Sequence, residues 1–326
     1  MILILLPVLA ALICIGIGRI NIPLTEILSS VKGHLFGGVE FTDTIEMTLW
    51  KIRLPRVLLA LLVGAGLSAS GCAYQSLFSN PLATPDTLGV ASGAGFGAAL
   101  ALLLGMEFMG VQLVSLLFGG IAVYLTMLAG KSKERRGMSS VVLAGIMIGS
   151  LFNALISMVK FCADTESELP EITYWLMGTL NSANFESLVL GAPFILGGIL
   201  VLLLLRWRLN LLPLSDEEAM SMGVNLKALR GVTIFCATAM TASCVSMCGQ
   251  VGWVGLLVPH MCRMRYGNNH LSLLPASVLT GAAFMVVVDT LARSVSASEL
   301  PISILTATIG APFFILLMKK TEGWQG

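Results

Sequence analysis

The chain has 326 residues, a formal net charge of +1 at neutral pH and a mean hydropathy of +0.90. Hydrophobic residues make up 56% of it and charged residues only 11%, against about 25% charged residues in an ordinary soluble domain. This composition excludes a disordered chain, a nucleic-acid-binding protein with a basic face, and a secreted fold stapled by disulfides. It is typical of an all-α membrane protein with many spans.

Nine stretches without Asp, Glu, Lys or Arg are long enough, or nearly so, to cross a bilayer as a helix of about 20 residues. They are 1–18, 57–85, 87–106, 108–130, 137–159, 187–205, 231–262, 266–288 and 300–318. The stretch 231–262 is too long for one span, so we divide it at Gly249-Gln250. The sequence therefore predicts ten transmembrane helices in a single membrane domain over 1–326.

The positions of the basic residues favour ten spans over nine. Ten spans with an interior N-terminus place twelve Lys and Arg inside and seven outside, whereas nine spans place nine inside and ten outside. The positive-inside rule selects the first arrangement. It predicts that 131–136, 206–230 and 319–326 are cytoplasmic, and that 19–56 and 160–186 are external.

Residues 1–18 lack the charged n-region and the small-x-small cleavage site of a signal peptide, so a retained helix is expected. Six of the seven cysteines lie in apolar stretches, and no Cys-x-x-Cys occurs. Zinc sites and redox pairs therefore lack support. No metal, other cofactor or nucleic acid is expected.

Three segments between the spans carry local signals. Tyr174–Gly178 predicts an interfacial helix followed by a turn on the external side. Leu214–Gly223 predicts a short cytoplasmic helix, because Ser215 or Asp216 can cap its start and Gly223 can end it. Asn80–Asp86 interrupts apolar sequence with two prolines, which indicates either a plain loop or irregular backbone held by surrounding protein.

Glycines also recur at four-residue spacing, which allows helices to approach closely. They are Gly89, Gly93, Gly97, Gly145 and Gly149. The plain interpretation is dense packing, and the alternative is the wall of a pathway or an oligomer seam.

Several blocks in order along the chain resemble one family, the permeases of the bacterial iron–siderophore, haem and vitamin B12 ABC importers. The resemblance covers roughly residues 50–318. The blocks are Arg53-Leu54-Pro55-Arg56, Gly64-Ala65-Gly66-Leu67, Asn80–Gly89, Leu143-Ala144-Gly145, Trp175-Leu176-Met177-Gly178, Gly252–His260, Asp289–Arg293, Glu299-Leu300-Pro301 and Gly310-Ala311-Pro312-Phe313.

The resemblance implies a multi-pass permease of the bacterial inner membrane, with ten helices per subunit and a homodimer around a translocation path. It also implies two cytoplasmic ATPase subunits and an external substrate-binding protein as partners. The chain has no Gly-x-x-x-x-Gly-Lys-[Ser/Thr] pattern, so ATP hydrolysis is expected in a separate subunit rather than in this chain.

Three groups of site residues follow from the resemblance. Arg53, Arg56 and Arg293 are expected to dock acidic residues of the binding protein, the alternative being headgroup anchors. A cytoplasmic gate is expected near the start of the fifth span, the alternative being ordinary helix caps; its residues are Ala83, Thr84, Pro85, Asp86, Met138, Ser139 and Ser140. Coupling to the ATPase is expected from Ser215, Asp216, Glu217, Glu218, Ala219, Met220, Ser221, Met222 and Gly223.

Other candidates have plainer interpretations. Asp289 and Arg293 are four residues apart, so a pair within one helix is expected. His260 is expected to be a packed structural residue. The group Met240, Cys244, Met247 and Cys248 is expected to pack in the core rather than to hold a soft metal.

The expected function is a permease of an ATP-driven importer, with iron–siderophore complexes as the expected substrate and haem or vitamin B12 as alternatives. Two other classes fit less well. An ion-coupled carrier usually places several ionisable groups at mid-membrane, and such groups are scarce in these spans. An intramembrane serine protease needs a nucleophile and base, and no Gly-x-Ser-Gly occurs.

Overall fold

The computed structural model describes residues 2–18, 22–36, 47–131, 138–296 and 299–322. That part of the chain is helical and contains no strand, as the composition predicts. A π-helical stretch, Met47–Arg53, leads directly into α3. The α-helices are α1 (Ile2–Gly16), α2 (Leu24–Phe36), α3 (Leu54–Leu77), α4 (Val90–Leu103), α5 (Phe108–Ala129), α6 (Met138–Cys162), α7 (Glu168–Leu176), α8 (Phe185–Leu209), α9 (Asp216–Ser221), α10 (Leu226–Cys248), α11 (Val254–Tyr266), α12 (His270–Ser294) and α13 (Ile302–Glu322).

Six segments of the described chain are long and apolar enough to cross a membrane. They are Met47–Leu77, Phe108–Ala129, Ser139–Cys162, Phe185–Leu209, Leu226–Cys248 and His270–Ser294. Three shorter apolar helices accompany them: Leu3–Gly16, Val90–Leu103 and Ile302–Leu316. One helix ends at Cys248 and the next begins at Val254, so the helical structure is interrupted near the division predicted at Gly249-Gln250.

Helix α3 is the central helix of the bundle and packs against α8, α10, α11 and α12. Two glycine pairs set its distance from its neighbours. A Cβ atom on Gly64 would lie 2.1 Å from the carbonyl oxygen of Gly281 in α12, and one on Gly71 would lie 1.8 Å from that of Gly255 in α11. No larger residue fits at either crossing without separating the helices.

The regularly spaced glycines allow neighbouring helices to pack closely, as the plain interpretation predicts. In α4, Cβ atoms on Gly93 and Gly97 would lie 2.7 and 2.6 Å from carbonyl oxygens of α5. A Cβ atom on Gly145 of α6 would lie 2.2 Å from the carbonyl oxygen of Thr87. Close packing of α4, α5 and α6 thereby fixes the segment that precedes α4.

The segment containing Tyr174–Gly178 is helical in α7 and then turns at Gly178, which has a φ of +75°. Its side chains Ile172 and Trp175 are buried. The amide of Ser303 donates to the carbonyl of Met177, and that of Ile302 to the carbonyl of Gly178. This turn therefore holds the start of α13.

Candidate functional site

Two non-helical segments meet inside the bundle. One is 78–89, between α3 and α4, and the other is 249–253, between α10 and α11. Pro85 packs so closely on α11 that a Cβ atom on Gly255 would lie 2.3 Å from Pro85 Cγ. Because α4 and α11 have 14 and 13 residues, each is about 20 Å long and falls short of a hydrocarbon core of about 30 Å.

Hydrogen bonds within the first segment hold its irregular backbone. Thr87 Oγ1 accepts from the amide of Thr84 at 2.8 Å and donates to its carbonyl at 2.7 Å. The Asp86 carboxylate accepts from the amides of Ala91 and Ser92 at 2.9 and 3.3 Å, and from Ser92 Oγ. Asp86 thus stabilises the start of α4, where Gly89 has a φ of +73°.

The second segment contains a strained residue that sequence reasoning did not single out. Trp253 has a φ of +69°, an uncommon conformation for a bulky side chain, and it immediately precedes α11. Its ring lies on Gly310 of α13, where a Cβ atom would be 3.0 Å from Trp253 Cε3. Gln250 Nε2 donates to the carbonyl of Ala91 at 3.1 Å, which links the second break to the first turn of α4.

A cavity of about 480 Å³ lies between the two breaks. We call it the central cavity. Its lining contains Asp86 but no Lys or Arg among the described residues. The residues that line it are Leu67, Thr84, Pro85, Asp86, Ala91, Leu176, Met177, Thr241, Val245, Gln250, Val251, Gly252, Trp253, Gly255, Leu256, Ser303 and Ala307. Irregular backbone at membrane depth is tolerated where it lines such a cavity.

The predicted docking residues Arg53, Arg56 and Arg293 lie together in a buried network. Arg56 Nε donates to Asp289 Oδ1 at 2.9 Å, and Arg56 Nη1 contacts both oxygens of Glu299 at 3.0 and 2.9 Å. Arg293 Nε lies 3.6 Å from Asp289 Oδ2, which is the pair expected from their four-residue spacing. We call these five residues, Arg53, Arg56, Arg293, Asp289 and Glu299, the charge cluster.

The end of α1 supplies further acceptors to this cluster. Arg53 Nη1 donates to the carbonyls of Ile15 and Gly16 at 2.8 and 3.1 Å, and Arg293 Nη2 donates to the carbonyl of Cys14. These carbonyls belong to the negative end of the α1 dipole, which offsets the excess of guanidinium groups over carboxylates. Only 5%, 5% and 7% of Arg53, Arg56 and Arg293 are exposed, so docking by them stays a prediction.

The predicted helix at Leu214–Gly223 is present as α9 and is capped at both ends. Ser215 Oγ accepts from the amide of Glu218, and Glu218 Oε2 accepts from the amide and hydroxyl of Ser215 at 2.9 and 2.8 Å. These hydrogen bonds from Ser215 lower the pKa of the Glu218 carboxyl. Gly223, with a φ of +73°, ends the helix, and the amide of Val224 donates to the carbonyl of Ala219.

The two faces of α9 differ in their exposure to solvent. Ala219 is fully buried, whereas Met220 and Met222 are 64% and 59% exposed and Glu217 is exposed. Asp216 begins the helix, and its side chain lies outside the described part of the chain. Exposed methionines on a capped, fixed helix are suited to contact with a partner surface. Whether that partner is an ATPase stays a prediction.

The predicted gate residues do not all come together. Thr84, Pro85 and Asp86 line the central cavity, whereas Ala83 is buried in the main apolar core. Thr87 and Leu88, next to them, contact α6 at Gly145. That glycine is five residues, or about 7.5 Å along the helix, beyond Ser140. Ser139 is exposed, and the side chain of Met138 lies outside the described residues. The gate stays a prediction.

The surroundings of the remaining candidate residues indicate that they pack in the interior of the bundle. The ring of His260 lies 5.3 Å from that of Phe314, between centroids. Met240, Cys244, Met247 and Cys248 are at most 2% exposed and belong to the main apolar core. Sequence reasoning missed the role of Glu299 as a partner of Arg56, although its position directly before the apolar stretch 300–318 was a usable signal.

Over the described ranges the chain is all-helical, with six apolar segments long enough to span a membrane and a cavity between two helix breaks, as expected of an integral membrane permease. The family profile of the FecCD transport family matches residues 4–320. The chain belongs to that family and is therefore a permease of an ABC importer.

Named relatives carry different substrates. The molybdate import permease MolB of Haemophilus influenzae is 42% identical over 98% of this chain and 94% of its own length. The Fe(3+)-citrate import permease YfmE of Bacillus subtilis is 37% identical over 96% of this chain and 92% of its own. An ABC transporter solved in an inward-facing conformation, and assigned to the metal-chelate type, is 41% identical, with a TM-score of 0.87 over 98% of this chain and 97% of that one.

Proposed function

We propose that this chain is the membrane half of an ATP-driven importer for iron–siderophore complexes in a bacterial inner membrane. The single observation that carries the importer function is the family match over residues 4–320. Two copies of the chain would enclose the path, with two ATPase subunits at α9 and an external binding protein opposite. Residues 1–326 would form one membrane domain.

The proposal includes ten membrane crossings by this chain. The six long apolar segments would be joined by α1, α4, α11 and α13, which have 15, 14, 13 and 21 residues. The helices α4 and α11 are too short to span alone, and the breaks before them would complete their crossings. Such discontinuous helices are typical of transport pathways.

The central cavity supports a chelate as the substrate. No Lys or Arg lines it among the described residues, so a bare oxyanion would meet no cationic side chain there. A bulky chelate that carries its metal inside an organic shell needs none, since apolar and small polar walls suffice. Haem and vitamin B12 satisfy the same argument and are the alternatives within this class.

Molybdate is the second candidate substrate, because the MolB permease is 42% identical over nearly the whole chain. An oxyanion could pass through the central cavity only with weak, transient contacts to its lining. The two candidate substrates therefore place different demands on the cavity, and a transport measurement can distinguish them.

The test is uptake into membrane vesicles that contain the complete transporter, with ATP supplied on the ATPase side. The panel would be a ⁵⁵Fe-loaded siderophore, ferric citrate, haem, cobalamin and ⁹⁹Mo-molybdate. ATP-dependent uptake of an iron chelate alone supports the proposal. Uptake of molybdate alone would identify molybdate, and not an iron chelate, as the substrate. Uptake driven by an ion gradient without ATP would overturn the ATP-driven mechanism in favour of an ion-coupled carrier.

A further inference from the structure

A second cavity, of about 450 Å³, lies on an exposed side of the bundle between α5, α8 and α10. We call it the lateral groove. It is distinct from the central cavity, with no lining residue in common. Its lining residues are Leu116, Gly120, Val123, Tyr124, Met127, Phe194, Gly231, Ile234, Phe235, Thr238, Ala239 and Ala242.

The shape of the lateral groove is that of a slot for a narrow apolar chain. Val123 and Ile234 are buried at its floor, while Tyr124 and Phe235 are 64% and 73% exposed and form its rims. Cβ atoms on Gly120 and Gly231 would meet nothing within 4 Å, so these glycines leave open space. A larger residue at either position would enter the groove without striking the protein.

The chemistry of the groove is apolar, since its one buried hydroxyl is already engaged. Thr238 Oγ1 lies 3.1 Å from the hydroxyl of Tyr74, so it needs no partner from the groove. On α5 the lining runs from Leu116 to Met127, which is about 16 Å along the helix. One leaflet of a hydrocarbon core is about 15 Å deep, so the groove matches the reach of one acyl chain.

Positive charge flanks one end of the groove. Lys131 lies one helical turn beyond Met127, and Lys227 lies one turn before Gly231. Both lysines are exposed, and Arg230 directly precedes Gly231. Arg206 and Arg208, in the last turn of α8, add charge at the same end of the bundle. Of the acids in α9, Glu218 is already engaged by its own cap.

We propose that the lateral groove binds one acyl chain of an anionic phospholipid from the cytoplasmic leaflet, with the phosphate held by the exposed Lys131 and Lys227. The choice of leaflet rests on the proposed ten-span topology, which places these basic residues inside. Each cation near an anionic headgroup strengthens binding by roughly fivefold, so an anionic lipid should outcompete a zwitterionic one of equal chain length.

The test is native mass spectrometry of the purified full chain in detergent with phosphatidylglycerol or phosphatidylcholine of matched acyl chains. We expect phosphatidylglycerol to be retained at one site per protomer, roughly 25-fold more tightly than phosphatidylcholine, from about fivefold for each of the two lysines. Gly120→Leu and Gly231→Leu should each lower retention of both lipids by roughly tenfold, because they fill the slot.

Matched controls separate the groove from general lipid contact. Gly197 of α8 is an exposed glycine that also has nothing within 4 Å of its Cβ position, but it does not line the groove. Gly197→Leu should therefore leave retention unchanged. Lys131→Gln with Lys227→Gln should remove the preference for phosphatidylglycerol without disturbing packing, whereas Lys160→Gln, at the far end of α6, should keep it.

Three results would overturn the proposal. One is equal retention of the two lipids, and another is equal loss in Gly120→Leu and Gly197→Leu. The third is a disulfide between two copies of a Gly120→Cys chain in a Cys162→Ser background, which would make the groove an interface between protomers. These measurements need neither ATPase nor substrate, so their failure is distinguishable from failure of the transport function.

Discussion

At the residue scale, the charge cluster combines close ion pairs with burial. Asp289 is 1% exposed and accepts from Arg56, with Arg293 also within ion-pair distance. Removing one member of a buried ion pair costs more than the pair itself contributes, because the partner's charge stays buried without compensation. The cluster also ties α1 to α3 and α12 through the carbonyls at the end of α1.

Replacing Asp289 with Ala should therefore destabilise the chain by about 3–5 kcal/mol. Asp289→Asn should cost less, since the amide oxygen can still accept from Arg56. The measurement is unfolding of the detergent-purified chain by denaturant. Glu166→Ala, which removes an exposed carboxylate in the connection before α7, is the control and should change the free energy of unfolding little. Equal effects of Asp289→Ala and Glu166→Ala would show that the cluster is not structural.

At the element scale, α9 is a six-residue helix whose order depends on its caps. A helix this short has little intrinsic stability, so the Ser215–Glu218 capping box and the Gly223 turn fix its shape. The exposed Met220 and Met222 are then held at defined positions. This is the local basis for assigning α9 to contact with the ATPase.

The capping box makes the order of α9 sensitive to acid. The pKa of Glu218 is lowered in the folded chain by the hydrogen bonds from Ser215, so its stabilising effect is complete above the unfolded pKa of about 4.3. It is lost as the pH falls through the lower, folded value. Hydrogen exchange of peptide 214–224, corrected for intrinsic rates, should show protection at pH 7 that declines below about pH 4. Glu218→Ala should remove this pH dependence, and its persistence in that variant would exclude Glu218 as the cause.

Coupling through α9 predicts a separate defect. Met220→Asp places a charge on an exposed apolar contact, so substrate-stimulated ATP hydrolysis by the reconstituted complex should fall by tenfold or more, as for a desolvated interface residue. The melting point of the isolated permease should not change. Met106→Asp, at a 44% exposed methionine in the connection between α4 and α5, is the matched control. Normal coupled hydrolysis in Met220→Asp would remove α9 from the ATPase contact.

At the scale of the whole molecule, the number of crossings decides which surfaces face which partner. The positive-inside count favours ten, and the part of the chain that the structure describes contains six long apolar segments and three shorter apolar helices. In a Cys162→Ser background, Lys131→Cys should react with an impermeant thiol reagent only from the cytoplasm. Glu168→Cys should react only from outside. Labelling of both from one face would overturn the ten-span topology.

Docking of the binding protein can be separated from the structural role of the same arginines. If Arg56 meets a carboxylate of the partner, Glu299 competes for it, and Glu299→Gln should raise affinity by roughly twofold to fivefold. Arg56→Glu does not separate the two roles, because it also leaves Asp289 and Glu299 without their buried partner. Lys51→Glu, at an exposed site just before the cluster, controls for long-range charge. Unchanged affinity in Glu299→Gln would assign Arg56 to the internal network alone.

Local signals in the sequence determined the class of protein and many of its elements. Low charge and long apolar stretches require helices in a membrane, because each backbone polar group must be satisfied within its own segment. The caps of α9, the break near Gly249 and the Asp289–Arg293 pair depend on residues a few positions apart, so they were predictable. The ordered motifs likewise identified the family without the structure.

Only the tertiary structure decided what depends on residues far apart in the chain. The meeting of Pro85 with Gly255, the contact of Glu299 with Arg56 and the anchoring of α1 by Arg53 and Arg293 join distant segments. The lateral groove likewise needs three helices in one arrangement. Composition and periodicity report which face of a helix is apolar, but not which helix covers it. That choice is made by packing, where single glycines such as Gly64 and Gly71 determine how closely two helices can approach.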